Sequence, residues 1–312
     1  MDPTKQYHGL LQRFEVFCRD VLEPAVFPVT HPLEAAAWQC AEPVPFAEAM
    51  GATYSPVRPG WEWGPVWSTC WFRVRGEVPQ SMSGRTVVLR FSTDTEALVW
   101  IPTPGTPSNG TPIHGLDANR DAVRLLEPAG GGEKIDLYVE AACNHLFGDR
   151  GLQWDPPEIH RRWSSRTPGR LDRCELAVLD ETVWRLKWVY TFALQLAREL
   201  PSDSARSRQL FGALRRCSNA IPDDRVAQTA RKALEELESA VRVHAGGGAS
   251  LCHAIGHAHI DTAWLWPIRE TRRKCIRTFS TALRNMERFP EYTFLCSQAQ
   301  QYAWLEETSP EL

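Results

Sequence analysis

Apolar and polar positions follow different periods in successive parts of the chain. Between Tyr7 and Leu22, apolar residues recur every three or four positions, which predicts an amphipathic helix that ends at Pro24. From about Trp61, runs rich in β-branched and aromatic residues alternate with Gly, Pro and Ser, which predicts short strands. These runs lie at 70–75, 86–91, 97–101 and 134–139. From about Val178 the helical period returns and predicts packing helices in succession.

A glycine-rich break at 246–250 separates these helices from a pattern of a different kind. A short apolar strand at 254–258, a helix between Pro267 and Pro290, a strand at 292–296 and a further helical stretch follow in order. This β-α-β-α order predicts the opening of an α/β barrel or of a doubly wound sheet. A barrel needs roughly 200 to 250 residues. Either the chain is a fragment or an isoform of a longer protein, or this segment packs on something else; we favour truncation and expect an incomplete barrel.

The fold class predicted from these elements is a multidomain α+β protein with an antiparallel β-sandwich, a helical connector and the truncated start of an α/β barrel. The predicted units are an N-terminal helix and lead-in at 1–37, the sandwich at 38–178, the connector and linker at 179–250 and the barrel start at 251–312.

Composition excludes several classes of partner. The chain has 35 basic and 38 acidic residues, a formal charge of −3, which is too balanced for a nucleic-acid or membrane-binding surface. No window approaches the ~18 apolar residues of a membrane-spanning helix, and the N-terminus does not resemble a signal peptide. The nine cysteines never form a Cys-x-x-Cys pair, so we expect reduced thiols and a cytoplasmic protein.

Four tryptophans lie close together at the start of the strand-rich region: Trp61, Trp63, Trp67 and Trp71. Indole rings can stack on sugars, but they also fill the cores of sandwiches. The core is the favoured interpretation, with some of the rings packing against a neighbouring domain.

Candidate chemistry is concentrated just after the predicted strand of the final unit. His257, His259 and Asp261 occupy alternate positions, so in an extended strand their side chains point to one face. Imidazole and carboxylate groups are typical ligands of a divalent metal, and Trp264 and Trp266 lie beside them. From spacing alone, an amidohydrolase-type barrel, which also opens with paired histidines, remains an alternative.

Longer motifs carry a resemblance to a known family. The stretches GHAHIDTAWLWP at 256–267, ETRRK at 270–274 and CSQAQQY at 296–302 resemble the start of the catalytic domain of glycoside hydrolase family 38, in its cytosolic and vacuolar α-mannosidase branch. Upstream, WSTCWFRV at 67–74, ALVW at 97–100 and LYVEAACN at 137–144 are similar to the same branch.

The resemblance implies a retaining, metal-dependent α-mannosidase that uses zinc or cobalt and hydrolyses terminal α-linked mannose, with a seven-stranded type of α/β barrel. By position, it makes His259 and Asp261 metal ligands and Trp264 the residue that stacks on the sugar, while His257 orients the site without binding the metal directly. The family's nucleophilic aspartate lies downstream of the matched region, so no catalytic residue is assigned, and we expect little activity from this chain alone. A mannose-containing oligosaccharide is the expected substrate, and the branch forms homo-oligomers.

Other carboxylates near the motif have simpler interpretations. We expect Glu270 to interact with the N-terminus of its helix or with Lys274, and we assign no catalytic role to Asp155 or Glu158. A function of a different class is a noncatalytic isoform whose sandwich binds a glycan or a protein partner.

Overall fold

The computed structural model describes residues 3–144, 156–242 and 252–312, with side chains described from residue 9 onward. The linker predicted at 246–250 and the carboxylate of Asp155 lie outside these residues. The chain divides into two compact units, one formed by Met1–Thr30 and Ala177–Cys252 and the other by His31–Leu176 and His253–Leu312.

The helices are α1 (Pro3–Phe17), α2 (Glu23–Ala25), α3 (Phe46–Gly51), α4 (Pro157–Trp163), α5 (Glu181–Glu199), α6 (Ala205–Ala220), α7 (Val226–Val241), α8 (Ile268–Arg288) and α9 (Ala299–Thr308). The strands are β1 (Val29–Pro32), β2 (Glu34–Cys40), β3 (Ser55–Val57), β4 (Glu62–Trp63), β5 (Thr69–Glu77), β6 (Val87–Ser92), β7 (Ala97–Pro102), β8 (Gly110–Leu116), β9 (Ala122–Leu126), β10 (Lys134–Ala142), β11 (Gly169–Arg170), β12 (Arg173–Val178), β13 (Gly256–His257) and β14 (Phe294–Leu295).

Helices build the first unit. A π-helical turn, Cys18–Leu22, joins α1 to α2, so the helical run continues to Ala25 instead of ending at Pro24. Pro24 lies in the first turn of α2, where a missing N–H is tolerated. The helices predicted after Val178 are α5, α6 and α7, which is the expected succession. Among the residues that the structure describes, no helix has both the length and the apolar character needed to cross a membrane.

Aromatic packing holds α1 in this unit. The ring of Phe14 is fully buried and meets Tyr190 of α5 edge-on, with 6.3 Å between centroids. The same ring lies 5.9 Å from Phe211 of α6. The prediction that the first helix is amphipathic and docks through its apolar side is therefore confirmed.

Two sheets form the sandwich. Their strand orders are β1-β12-β6-β9 and β3-β2-β5-β10-β7-β8. In the larger sheet all neighbouring strands pair antiparallel, and β10 pairs with β5 from Lys134↔Glu77 to Ala142↔Thr69. The strands predicted at 70–75, 86–91, 97–101 and 134–139 correspond to β5, β6, β7 and β10, each within a few residues.

The clustered indoles mainly fill the core. Trp63, Trp71 and Phe72 are fully buried, whereas Trp61 and Trp67 are half-buried. Trp61 and Trp63 both meet the ring of Phe72 edge-on, at 6.0 and 6.3 Å between centroids. The core interpretation is confirmed for the buried members of the group.

The final segment packs on the larger sheet within the second unit. β13 and β14 are parallel, with Gly256 opposite Phe294, and α8 connects them. Both strands are shorter than predicted, at two residues each. The predicted β-α-β-α order is observed. Within the described residues, β13 and β14 form a two-stranded sheet and not a closed barrel.

One hydrophobic core joins this segment to the sandwich. Phe46 lies at its centre and stacks on Trp100, with 4.9 Å between ring centroids. The other large side chains of this core are Trp71, Leu98, Tyr138, Ile260, Ile276, Phe279, Trp304 and Leu305. Trp71, one of the four clustered indoles, shares this core with the final segment, as the sequence suggested for some members of the cluster. Trp100, which lies outside that cluster, belongs to the same core.

Candidate metal and sugar site

His259 and Asp261 meet in the loop that follows β13. The Nε2 atom of His259 lies 3.2 Å from Oδ1 of Asp261, and both side chains are largely open to solvent. Only Gly256 and His257 have strand geometry, so convergence of His259 and Asp261 does not depend on a long strand. Residues 257–266, which include both side chains, are called the motif loop below.

Thr271, on the first turns of α8, holds the motif loop from beneath. Its fully buried hydroxyl donates to the carbonyl of Asp261 at 3.2 Å. The same oxygen accepts hydrogen bonds from the amide of Ala263 at 3.1 Å and from Nε1 of Trp266 at 2.9 Å. One side chain therefore fixes the backbone on both sides of Thr262. The resemblance included Thr271 in a matching stretch, but nothing in the sequence pattern pointed to this role.

Ala263 has a left-handed backbone, with φ of 58°. For a residue with a Cβ this conformation costs about 1 kcal/mol. The hydrogen bond from its amide to Thr271 helps to compensate for that cost. The turn aims the following indole, Trp264, outward.

Gln301, of α9, supports the loop from the other side. Its fully buried amide donates from Nε2 to the carbonyl of Ile260 at 2.8 Å. Gln298, which directly precedes α9, accepts a hydrogen bond from the Gln301 amide. The side chain that reaches the motif loop is thus Gln301, three residues further along.

Trp264 presents the apolar surface of the site. Its side chain is 56% exposed and meets Trp266 edge-on, with 5.7 Å between ring centroids. Trp266 is held in turn by Thr271 and by Lys274, whose Nζ lies 4.5 Å from the ring centroid. A supported, solvent-facing indole beside a His–Asp pair can stack on the C–H face of a sugar.

A cavity of about 480 Å³ adjoins the motif loop within the second unit. His257 and His259 line it together with Trp266, and β8 and the turn after it contribute Leu116, Asp117 and Arg120. His257 therefore lines the same cavity as His259 but takes no part in the contact between His259 and Asp261.

Four charged residues lie on one face of α8: Glu270, Arg273, Lys274 and Arg277. We call these four residues the docking face. The last three contact carboxylates of the sandwich. Glu270 is fully buried, and its carboxylate accepts a hydrogen bond from Nε of Arg273 at 2.9 Å. The same carboxylate also accepts a hydrogen bond from Arg277. The expected pairing of Glu270 with Lys274 is wrong, because Lys274 turns to Glu96 of the sandwich at 2.6 Å. Spacing along a helix could not reveal this choice, since the competing carboxylate is distant in sequence.

The two sandwich carboxylates of this network have opposite pKa shifts. Burial would raise the pKa of Glu96, but the charges of Arg277 and Lys274 outweigh it and bring the pKa down to about 2. Burial raises the pKa of Glu140, and Arg273 only partly offsets this. Glu96 is thus held as a carboxylate, whereas ionisation of Glu140 is opposed by its surroundings.

His259 and Asp261 provide two donor atoms of the types that zinc and cobalt accept. Among residues 3–144, 156–242 and 252–312, no group of three or more His, Cys, Asp or Glu side chains is arranged to hold a metal ion. The pair fits a metal as part of a larger set of ligands.

Family models match most of the chain in two parts. Residues 31–177 match the model of the α-mannosidase jelly roll domain, and residues 250–312 match the N-terminal domain of glycosyl hydrolases family 38. The sandwich is therefore a jelly roll. Both matches support the mannosidase resemblance over the amidohydrolase alternative.

Curated relatives are similar over nearly the whole chain. Human "Alpha-mannosidase 2C1" is 33% identical over 99% of this chain, and the mouse protein of that name is 35% identical over 87%. "Alpha-mannosidase" of Saccharomyces cerevisiae is 32% identical over 80%. The aligned regions span 29%, 25% and 23% of the lengths of these relatives.

Solved structures show less likeness. The β-glucuronidase of Faecalibacterium prausnitzii is 14% identical over 49% of this chain and 32% of its own, with a TM-score of 0.28. The β-glucuronidase of Ruminococcus gnavus is 13% identical over 49% of this chain and 28% of its own, with a TM-score of 0.32. The two domain models and the relatives together place this chain in the α-mannosidases of glycoside hydrolase family 38.

Proposed function

We propose that this chain forms the N-terminal part of a retaining, metal-dependent α-mannosidase of the cytoplasm, which removes terminal α-linked mannose from free oligosaccharides or glycoproteins during their catabolism. The supporting observation is the 3.2 Å contact between His259 and Asp261 beside the exposed Trp264, inside a segment that matches the family 38 model. The nine cysteines are all free thiols, which agrees with a reducing compartment.

In this proposal, His259 and Asp261 are two ligands of a zinc or cobalt ion, and His257 orients the site from nearby. A bound divalent ion would hold vicinal hydroxyls of mannose and favour the flattened, oxocarbenium-like transition state. Trp264 stacks on the sugar ring, and Thr271 keeps the turn between Asp261 and Trp264 in place. The nucleophile and the acid/base residue belong to the remainder of the protein.

The domain organisation is part of the proposal. Residues 1–37 form a lead-in, 38–178 the sandwich, 179–250 the helical connector and 251–312 the start of the catalytic domain. β13, α8, β14 and α9 open an α/β barrel of the seven-stranded type. The parallel pairing of β13 with β14 around α8 supports this, because it is the connection from which such barrels are built.

Metal binding by the 312-residue chain tests the proposal directly. We expect weak Co²⁺ binding that broadens the imidazole NMR signals of His259 and is lost in both His259→Ala and Asp261→Ala. His31→Ala, which alters a histidine outside the motif loop, is the matched control and should bind Co²⁺ as the wild type does. Failure of Co²⁺ to perturb His259 would refute the ligand assignment.

Hydrolysis of an aryl α-mannoside gives the second test. We expect little or no turnover by this chain, with or without Co²⁺ or Zn²⁺, because the proposal assigns two metal ligands and no nucleophile to it. Robust metal-dependent turnover would overturn that expectation. Binding of mannose oligosaccharides without metal, unchanged by Trp264→Ala, would favour the noncatalytic glycan-binding alternative.

A further inference from the structure

The jelly roll directs two carboxylates at the same helix of the catalytic segment. Glu96 directly precedes β7, and its carboxylate accepts hydrogen bonds from Lys274 at 2.6 Å and from Arg277 at 2.6 Å. Glu140 of β10 lies 3.5 Å from Arg273. Although both carboxylates belong to a domain without assigned chemistry, both contact the docking face of α8.

Glu96 is connected to the motif loop more directly than Glu140. Lys274, which Glu96 holds, also lies over the ring of Trp266, at 4.5 Å from its centroid. The ring nitrogen of Trp266 donates to Thr271, and Thr271 donates to the carbonyl of Asp261. The path from Glu140 leads through Arg273 to Thr69 and Glu270, and it reaches Glu96 through Glu270 and Arg277 before it can reach Lys274.

The contacts around Glu96 are well suited to fixing Lys274. A lysine has a flexible stem, and its rotamers are restricted when the ammonium group is held by a carboxylate on one side and an aromatic face on the other. The side-chain amide of Asn144 donates to Glu96 at 2.8 Å, which orients the carboxylate. Lys274 is thereby fixed against the indole that supports Trp264.

We propose that Glu96 of the jelly roll is a positioning residue for the metal and sugar site, acting through Lys274, Trp266 and Thr271 on the loop that carries Asp261 and Trp264. The jelly roll then has a role in the site itself, in addition to packing. The inference rests on the proposed function only for the second of two measurements, the affinity for Co²⁺.

The first readout needs no metal. Hydrogen exchange of the Ala263 amide and of the Trp266 indole N–H, both bonded to Thr271, reports how firmly the motif loop is held. In Glu96→Gln we expect both protons to exchange on the order of tenfold faster. Glu140→Gln, which makes the same substitution in the same domain, should leave them within about twofold of wild type.

The second readout is affinity for Co²⁺ alone. Residues that orient metal ligands typically contribute ten- to a hundredfold, so Glu96→Gln should weaken binding on the order of tenfold and Glu140→Gln by less than about twofold. The comparison is repeated at about 0.05 M and 0.5 M salt, because a long-range charge effect is screened and a loss of positioning is not.

Lys274 variants separate positioning from general instability. Lys274→Arg can keep both the carboxylate and the ring contact and should retain slow exchange, whereas Lys274→Met should lose it as Glu96→Gln does. Unchanged exchange in Glu96→Gln, or equal effects of Glu96→Gln and Glu140→Gln, would overturn the proposal. Faster exchange in Glu96→Gln, with no Co²⁺ binding at His259 in the wild type, would support positioning and refute the metal site.

Discussion

The docking face of α8 and the motif loop are neighbours in sequence but differ in their environment. Glu270, Arg273 and Arg277 are at most 7% exposed and have their charges matched by one another and by the jelly roll. His259 and Trp264, by contrast, are open to solvent. The charged side chains of the docking face thus already have partners within the protein, whereas His259 and Trp264 are accessible to a ligand.

This difference shows how the segment can keep a fixed loop without a closed barrel around it. Buried charges are costly when a partner is removed, and exposed ones contribute little. We therefore expect stability to respond to the docking face and the core behind it, and ligand binding to respond to the motif loop.

The largest effect is expected for Trp71→Ala. Its fully buried ring contributes to the core that joins the jelly roll to α8 and α9, so the free energy of unfolding should fall by about 4 kcal/mol. Trp264→Ala makes the same change at an exposed indole and should alter stability by less than about 0.5 kcal/mol. Urea denaturation measures both. Similar losses in the two variants would contradict the comparison.

Arg277→Met should lower the free energy of unfolding by about 3 kcal/mol, because it leaves the buried Glu270 and Glu96 with fewer partners. The control is Arg272→Met on the same helix. Arg272 pairs with Glu307 at the surface, so its loss should cost less than about 1 kcal/mol. A neutral Arg277→Met would show that the network is not what holds α8.

Glu96→Gln should cost about 2 kcal/mol at neutral pH, since charge-assisted hydrogen bonds to Lys274 and Arg277 weaken. The pKa of Glu96 is about 2 in the folded state and 4.5 ordinarily. Its contribution is therefore fully present above about pH 4.5 and is lost as the pH falls toward 2.

Glu140→Gln is the matched control for that pH profile. Because burial raises the pKa of Glu140, its ionised form opposes folding, and the variant should be neutral or slightly stabilising near pH 7. Unfolding curves of both variants between pH 2 and pH 8 measure the difference. A Glu140→Gln profile like that of Glu96→Gln would contradict the opposite pKa shifts.

Gly115→Ala tests the close approach of β8 to α8. A Cβ at this position would lie 2.8 Å from the backbone oxygen of Arg277, so either the strand or the helix must shift. We expect a loss of about 1.5 kcal/mol in denaturation experiments. Gly51→Ala, where a Cβ would meet nothing within 4 Å, should be tolerated within about 0.5 kcal/mol.

The sequence anticipated the strands of the jelly roll and the helices after Val178, because alternation and helical period are local signals. It also placed His259, Asp261 and Trp264 in one short motif. The partner of Glu270 was beyond local reasoning, since Arg277 competes with Lys274 on the same helix and Glu96 lies far away in the chain. Thr271 and Gln301 were not identified as supports because their bonds to the loop go mainly to backbone groups, which carry no sequence signal.

The order of residues along the chain is enough to show which residue types can bind a metal and a sugar and how closely they follow one another, because a motif is a property of covalent order. Only the tertiary structure decided that the motif loop is held by Thr271 and Gln301, and that the jelly roll balances the charges of α8. Those contacts join residues from separate parts of the chain, and they form only when packing brings a buried charge or carbonyl within reach of its partner.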